Sequence, residues 1–78
     1  MNSCVVVGPG AIGLLFACRL SRVLTDVAIL DYRADRADRL TRSGIRLTED
    51  GAELAYSIPV YADPGLIPFR PHFVLFVT

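Results

Sequence analysis

The chain has 78 residues, 53% of them hydrophobic, and its charge sums to zero, eight arginines against eight acids with no lysine. That length allows one small domain, which would bury only about 60% of its unfolded surface. The balance of charge and the lack of any charge run argue against a nucleic-acid surface or a disordered tail, and no run reaches the ~20 apolar residues that cross a bilayer.

Residues 4–7, Cys-Val-Val-Val, form a short apolar run rich in β-branched side chains and read as a buried strand. Gly8, Gly10 and Gly13 follow in the spacing G-x-G-x-x-G. Gly8 lets the chain turn out of the strand, Gly10 lets a pyrophosphate approach bare backbone, and Gly13 lets the next helix lie close on the strand. Pro9 removes one N–H but fixes φ and stiffens the turn. The amides of Ala11 and Ile12, at the helix start, are the candidates to face the phosphates, where the helix dipole adds about half a positive charge. The apolar start of residues 1–21 and Leu15-Phe16-Ala17-Cys18 faintly imitate a lipoprotein leader. The uncharged beginning and Gly-Pro-Gly argue against one.

Residues 11–23 read as a helix, apolar almost all round over its first two turns and so expected to be buried on more than one side. Residues 27–30 form a second strand, whose unbroken apolar run fits a parallel strand covered on both faces. Asp31 closes it, about 20 residues beyond the glycines, and completes the dinucleotide-binding fingerprint. A carboxylate there accepts from the adenine ribose hydroxyls and leans the site to NAD(H). A 2′-phosphate would meet like charge at a cost of ~4 kcal/mol per unit pair at about 4 Å and an effective dielectric near 20. Arg33 and Arg36 follow within a turn and could offset it with forked contacts. Alternatively, Arg33 forms a surface ion pair with Asp31.

Residues 34–43 form a second helix with expected i,i+4 pairs Asp35–Arg39 and Asp38–Arg42, worth a few tenths of a kcal/mol each. Gly44 ends it. Residues 45–48 and 54–58 are β-like, joined by the turn signal Glu49-Asp50-Gly51, and Pro59 closes the second run. Residues 62–71 read as loop. Residues 73–77 are a strongly apolar strand, expected to lie parallel to the first on the side away from the second. Cys4 and Cys18 have no metal spacing and read as buried hydrophobes in a reducing cytoplasm. His72 reads as structural. No residue points to a metal site.

The expected fold is α/β, a Rossmann-like parallel sheet with helices on its faces. A complete domain of this kind usually has six strands. The chain has room for about half, so residues 1–78 read as a partial N-terminal dinucleotide-binding domain, truncated to roughly its first half. The apolar last strand is an open sheet edge, which predicts self-association.

The chain resembles the N-terminal part of the ketopantoate reductase (2-dehydropantoate 2-reductase) family. Four features carry this: Gly8-Pro-Gly-Ala-Ile-Gly13, the step from the second helix into Gly44-Ile-Arg-Leu, the polar hairpin ending near Ile58-Pro59-Val60, and Pro71-His-Phe-Val-Leu-Phe-Val-Thr78. The resemblance implies hydride transfer from NADPH to a 2-keto acid, ketopantoate to pantoate, on the route to pantothenate and coenzyme A. It implies that Gly8, Pro9, Gly10, Ala11, Ile12 and Gly13 seat the pyrophosphate. Asp31, Tyr32 and Arg33 stand where such members often place an arginine, so only Arg33 could serve a 2′-phosphate. Val77 and Thr78 would border the nicotinamide. The family's catalytic lysine would fall at the position after Thr78, and its helical substrate domain beyond that. No catalytic residue is therefore assigned, and the chain alone is expected to be inactive. Cofactor preference stays open between NADP(H) and NAD(H). Other readings are a different nicotinamide-dependent dehydrogenase, a non-catalytic module that senses a dinucleotide, and an interaction fragment that binds no nucleotide.

Overall fold

The computed structural model describes residues 2–8 and 10–77. Strand β1 (Ser3–Val7) runs through the middle of a parallel sheet, and Cys4, Val5 and Val6 are buried. It is followed by α1 (Ala11–Ser21), β2 (Asp26–Leu30), α2 (Ala34–Ser43), a hairpin of β3 (Ile45–Glu49) and β4 (Ala52–Tyr56), β5 (Val60–Tyr61) and β6 (Phe73–Phe76). The sheet order is β5-β2-β1-β6, all pairs parallel. With the hairpin set aside as an insertion after α2, this is the 3-2-1-4 half of a doubly wound sheet, whose order turns back beside β1. The architecture is α/β and Rossmann-like.

Side-chain alternation sorts β1 and β2 onto two faces. Cys4, Val6, Val27 and Ile29 join Ala17 and Cys18 of α1, Ala37 of α2, and Ile45, Ile58 and Val60 in one core. Fully burying side chains such as Val6 and Ile29 stabilises by roughly 1.5–3 kcal/mol each. On the opposite face, Val5, Val7 and Leu30 share a recess of about 240 Å³ with Pro64, Ile67 and Phe69. Both cysteines are free and buried, and burial pushes both thiols up.

Several elements differ from the sequence expectation. Helix α1 stops at Ser21, not at residue 23, and the Ser21 hydroxyl turns back onto the Cys18 carbonyl (2.6 Å). Only one stripe of α1 is buried, at Gly13, Ala17 and Cys18, while Ile12 and Phe16 are exposed. The hairpin is shifted: β4 covers Ala52–Tyr56 rather than residues 54–58, because Asp50 and Gly51 both take positive φ (50° and 78°) and close a two-residue turn. Pro59 does not end a strand but leads into β5. Two residues suffice there because Thr41 of α2 grips the strand: its Oγ1 accepts from the Val60 N–H (3.0 Å) and donates to the Val60 carbonyl (3.1 Å). The loop begins after Tyr61, as expected, but it holds a short 3-10 helix at Pro64–Leu66.

Strand β6 takes the place expected of it, beside β1 and away from β2, ending one residue early at Phe76. The Val77 N–H still bonds the Val7 carbonyl (2.9 Å). At its other end, Ser3 Oγ donates to the Arg70 carbonyl (3.1 Å), accepts from the His72 N–H (3.1 Å) and lies 3.2 Å from His72 Nδ1. His72 thus latches β6 to β1. All four residues of β6 are exposed.

The hairpin is tied to the end of α1 by Arg22. Its guanidinium donates to Glu49 (3.1 Å) and to the Tyr56 hydroxyl, and lies 5.5 Å over the Tyr56 ring. Gly44 ends α2 with φ 77°. Asp38 pairs with Arg42 as expected (2.6 Å), but Asp35 pairs with Arg33 (3.1 Å) rather than with Arg39.

Candidate functional site

The three glycines of the turn after β1 are held by three different constraints. Gly8 has φ 104°, which an L side chain rarely adopts, and its N–H bonds the Leu30 carbonyl (3.1 Å). Gly13 is fixed by packing: a Cβ there would sit 2.0 Å from the Gly8 carbonyl oxygen. Gly10 has neither reason. Its φ of −63° and ψ of 176° suit any residue, and a Cβ there would meet nothing within 4 Å. What glycine supplies at Gly10 is bare backbone open to a group from outside.

That open position is also the N-cap of α1. No side chain caps the helix, and its first turn carries no acid. The N-terminal amides of a helix lack intrahelical acceptors, and the dipole places partial positive charge there, which suits an anion.

Two recesses flank the turn at the carboxyl ends of the sheet strands. One, about 240 Å³, is lined by Gly10, Ala11, Ile12, Gly13 and Val77. The other, about 350 Å³, is lined by Val7, Gly8, Leu30, Asp31, Tyr32, Arg33 and Arg36. The structure thus brings together, around one turn, every sequence-predicted site residue that it describes. Pro9 and Thr78 lie outside the described residues. The residues present fit a dinucleotide, with a bare, uncapped turn for a diphosphate between two recesses. Among the described residues no group of His, Cys, Asp or Glu is arranged to hold a metal.

Asp31 is the electrostatic centre of the second recess. Its N–H bonds the Tyr61 carbonyl (2.8 Å), which fixes it just beyond β2. Its carboxylate is gripped by Arg36, Nε to Oδ2 at 2.5 Å and Nη2 to Oδ1 at 3.1 Å, and Oδ1 also accepts the Arg33 N–H (3.0 Å). The Arg36 guanidinium is the main cause that holds this carboxyl below the usual range, against the opposing effect of burial. The surface pair of Arg33 with Asp31, one of the two alternatives for Arg33, is not formed. The guanidinium of Arg33 turns to Asp35, while only its backbone meets Asp31.

The sequence marks Arg36 only as a possible offset for phosphate, not as the partner of Asp31. The signal available was its place in the first turn of α2, five positions after the acid, which turns it back over the end of β2.

A family model described as ketopantoate reductase PanE/ApbA matches residues 4–78. Comparison with curated proteins finds no match, nor does comparison with solved structures. No helix among the described residues is long and apolar enough to cross a membrane. The matched span covers nearly the whole chain and includes the glycine turn, both recesses and β6, so the chain belongs to the ketopantoate reductase family of nicotinamide-dependent oxidoreductases.

Proposed function

We propose that this chain is the dinucleotide-binding part of a reductase that transfers hydride from NAD(P)H to a 2-keto acid, with ketopantoate to pantoate as the reaction, in pantothenate and coenzyme A biosynthesis. The bound nicotinamide supplies the hydride. The chain's own residues seat and orient the cofactor. Gly10 and the amides of Ala11 and Ile12 receive the diphosphate, Gly8 and Gly13 hold the turn that presents them, and Asp31, Tyr32 and Arg33 border the adenosine ribose. Val77 lines the recess on the β6 side, where the nicotinamide half would enter. In this reading the substrate domain and the proton donor belong to a part of the protein outside residues 1–78. A cytoplasmic setting agrees with two free, buried thiols.

The observation that carries the proposal is Gly10, a glycine that neither its dihedral angles nor its packing requires, at the uncapped start of a helix. The test is titration of the 78-residue chain with NADH and NADPH, followed by nicotinamide fluorescence. The expected result is saturable binding of at least one. A chain that is folded by far-UV circular dichroism yet binds neither overturns the proposal.

A further inference from the structure

In dinucleotide-binding folds an acid at the end of the second strand accepts from the adenine ribose hydroxyls. Asp31 holds that position, but three of its acceptor positions are already occupied. An ionised carboxylate offers about four lone-pair positions. Arg36 takes one on each oxygen, the Arg33 N–H takes another on Oδ1, and the residue is only 3% exposed. A ribose diol arriving in the 350 Å³ recess finds at most one open acceptor position, on Oδ2 of a carboxylate that is almost wholly buried, unless Arg36 lets go.

The same arrangement changes what charge the recess presents. Its lining sets two guanidiniums, Arg33 and Arg36, against one carboxylate. Arg36 cancels Asp31. Arg33 remains, its side chain 64% exposed and held by Asp35, which is itself 72% exposed. An exposed pair of this kind is worth little and exchanges readily for a better anion. A planar guanidinium on a recess rim is suited to a phosphate.

We infer that Arg36 is a positioning residue that sets cofactor choice: by clamping Asp31 it withdraws the acceptor a free 2′-hydroxyl needs and leaves Arg33 to take a 2′-phosphate. The inference rests on the reading of this chain as a dinucleotide-binding part. It assigns the discrimination to an ion pair inside the protein, between the end of β2 and the first turn of α2, and not to the identity of the acid alone.

The test is the ratio of the NADPH and NADH dissociation constants, because damage to the fold weakens both alike and leaves the ratio unmoved. The wild-type chain should favour NADPH. Arg36→Ala frees Asp31 to accept from the diol and to repel the phosphate, so the ratio should move toward NADH by about tenfold or more, within the span of one unit-charge contact at a protein surface. Adding Asp31→Asn to Arg36→Ala removes the freed charge and should move the ratio back toward NADPH. Circular dichroism establishes that each variant is folded. If Arg36→Ala is not, Arg36→Lys, which keeps the charge and loses the fork, takes its place and should show a smaller shift of the same sign. An unchanged ratio in the folded single variant, or a wild-type chain that prefers NADH, overturns the inference while leaving dinucleotide binding intact. A wild-type chain that binds neither cofactor overturns the underlying reading and this inference with it.

Discussion

The turn after β1 and the corner after β2 lie at the ends of neighbouring parallel strands, joined by the Gly8–Leu30 bond, yet they are finished in opposite ways. The turn is left bare: a glycine that no local constraint demands, an uncapped helix and no acid in its first turn. The corner is filled by the protein itself, with a buried carboxylate closed off by its own arginine. On the proposed reading one surface receives a ligand, while the other is already neutralised by the protein's own ion pair. A site of this kind can bind its ligand's diphosphate through backbone while its preference at the ribose depends on whether one side-chain pair stays closed.

The sharpest way to break this comparison is to give both helix-side glycines a methyl group. Gly13→Ala places a Cβ 2.0 Å from the Gly8 carbonyl oxygen, a backbone atom that cannot swing aside. We expect a loss of about 3 kcal/mol or more, at the upper end of overpacking costs, which would unfold so small a domain. Loss of the thermal transition by circular dichroism would show it. Gly10→Ala should change stability by no more than about 0.5 kcal/mol, as for an unconstrained surface position. It should nevertheless weaken dinucleotide binding by about tenfold or more, a loss of ~1.4 kcal/mol. Equal binding by the Gly10 variant would mean that the turn does not seat a diphosphate.

These two regions also differ in how far the sequence reveals them. The turn was legible because its requirements are backbone requirements: β-branched run, glycine spacing and helix start each have a local cause. Helix α2 and the placement of β6 beside β1 were legible for the same kind of reason, a clear cap in Gly44 and a single strongly apolar run. The corner was not, because the partner of Asp31 is decided by side-chain geometry across a turn, and Arg33 and Arg36 look equivalent until α2 points one of them back. Strand β5 was hidden too. It is two residues long and follows a proline, and what holds it is long-range: backbone bonds to β2 and the Thr41 hydroxyl of α2, which no local pattern announces.

Edge strand β6 sharpens the comparison from the other side of β1, since it too is unfinished, but with apolar side chains rather than amides. Phe73, Val74, Leu75 and Phe76 are all exposed on an outer strand of the sheet. Such an edge is a template for a second copy of the chain. We expect concentration-dependent association by light scattering, and Phe76→Lys should shift it toward monomer, since a charge on an edge opposes pairing. A monodisperse monomer at high concentration would count against association through this strand.

The smallest effect concerns the closed corner itself and follows from the sign of its titration. Arg36 holds the Asp31 carboxyl below its ordinary value of 3.8, so the folded chain binds that proton less readily than the unfolded one. The stabilisation from the pair is therefore complete above the ordinary carboxylate range and is lost as pH falls through the lowered folded value. Asp31→Asn removes this contribution at neutral pH, where we expect a cost of about 1 kcal/mol, a net hydrogen-bond contribution rather than a full buried-charge penalty, because the Arg36 side chain is 36% exposed and can rehydrate. In acid the two proteins should converge, since protonated Asp31 no longer attracts Arg36 as an ion. Denaturant midpoints of both chains across the acid range check this. Curves that coincide at every pH would show that the pair contributes nothing to the fold, and the corner would then be no more finished than the turn.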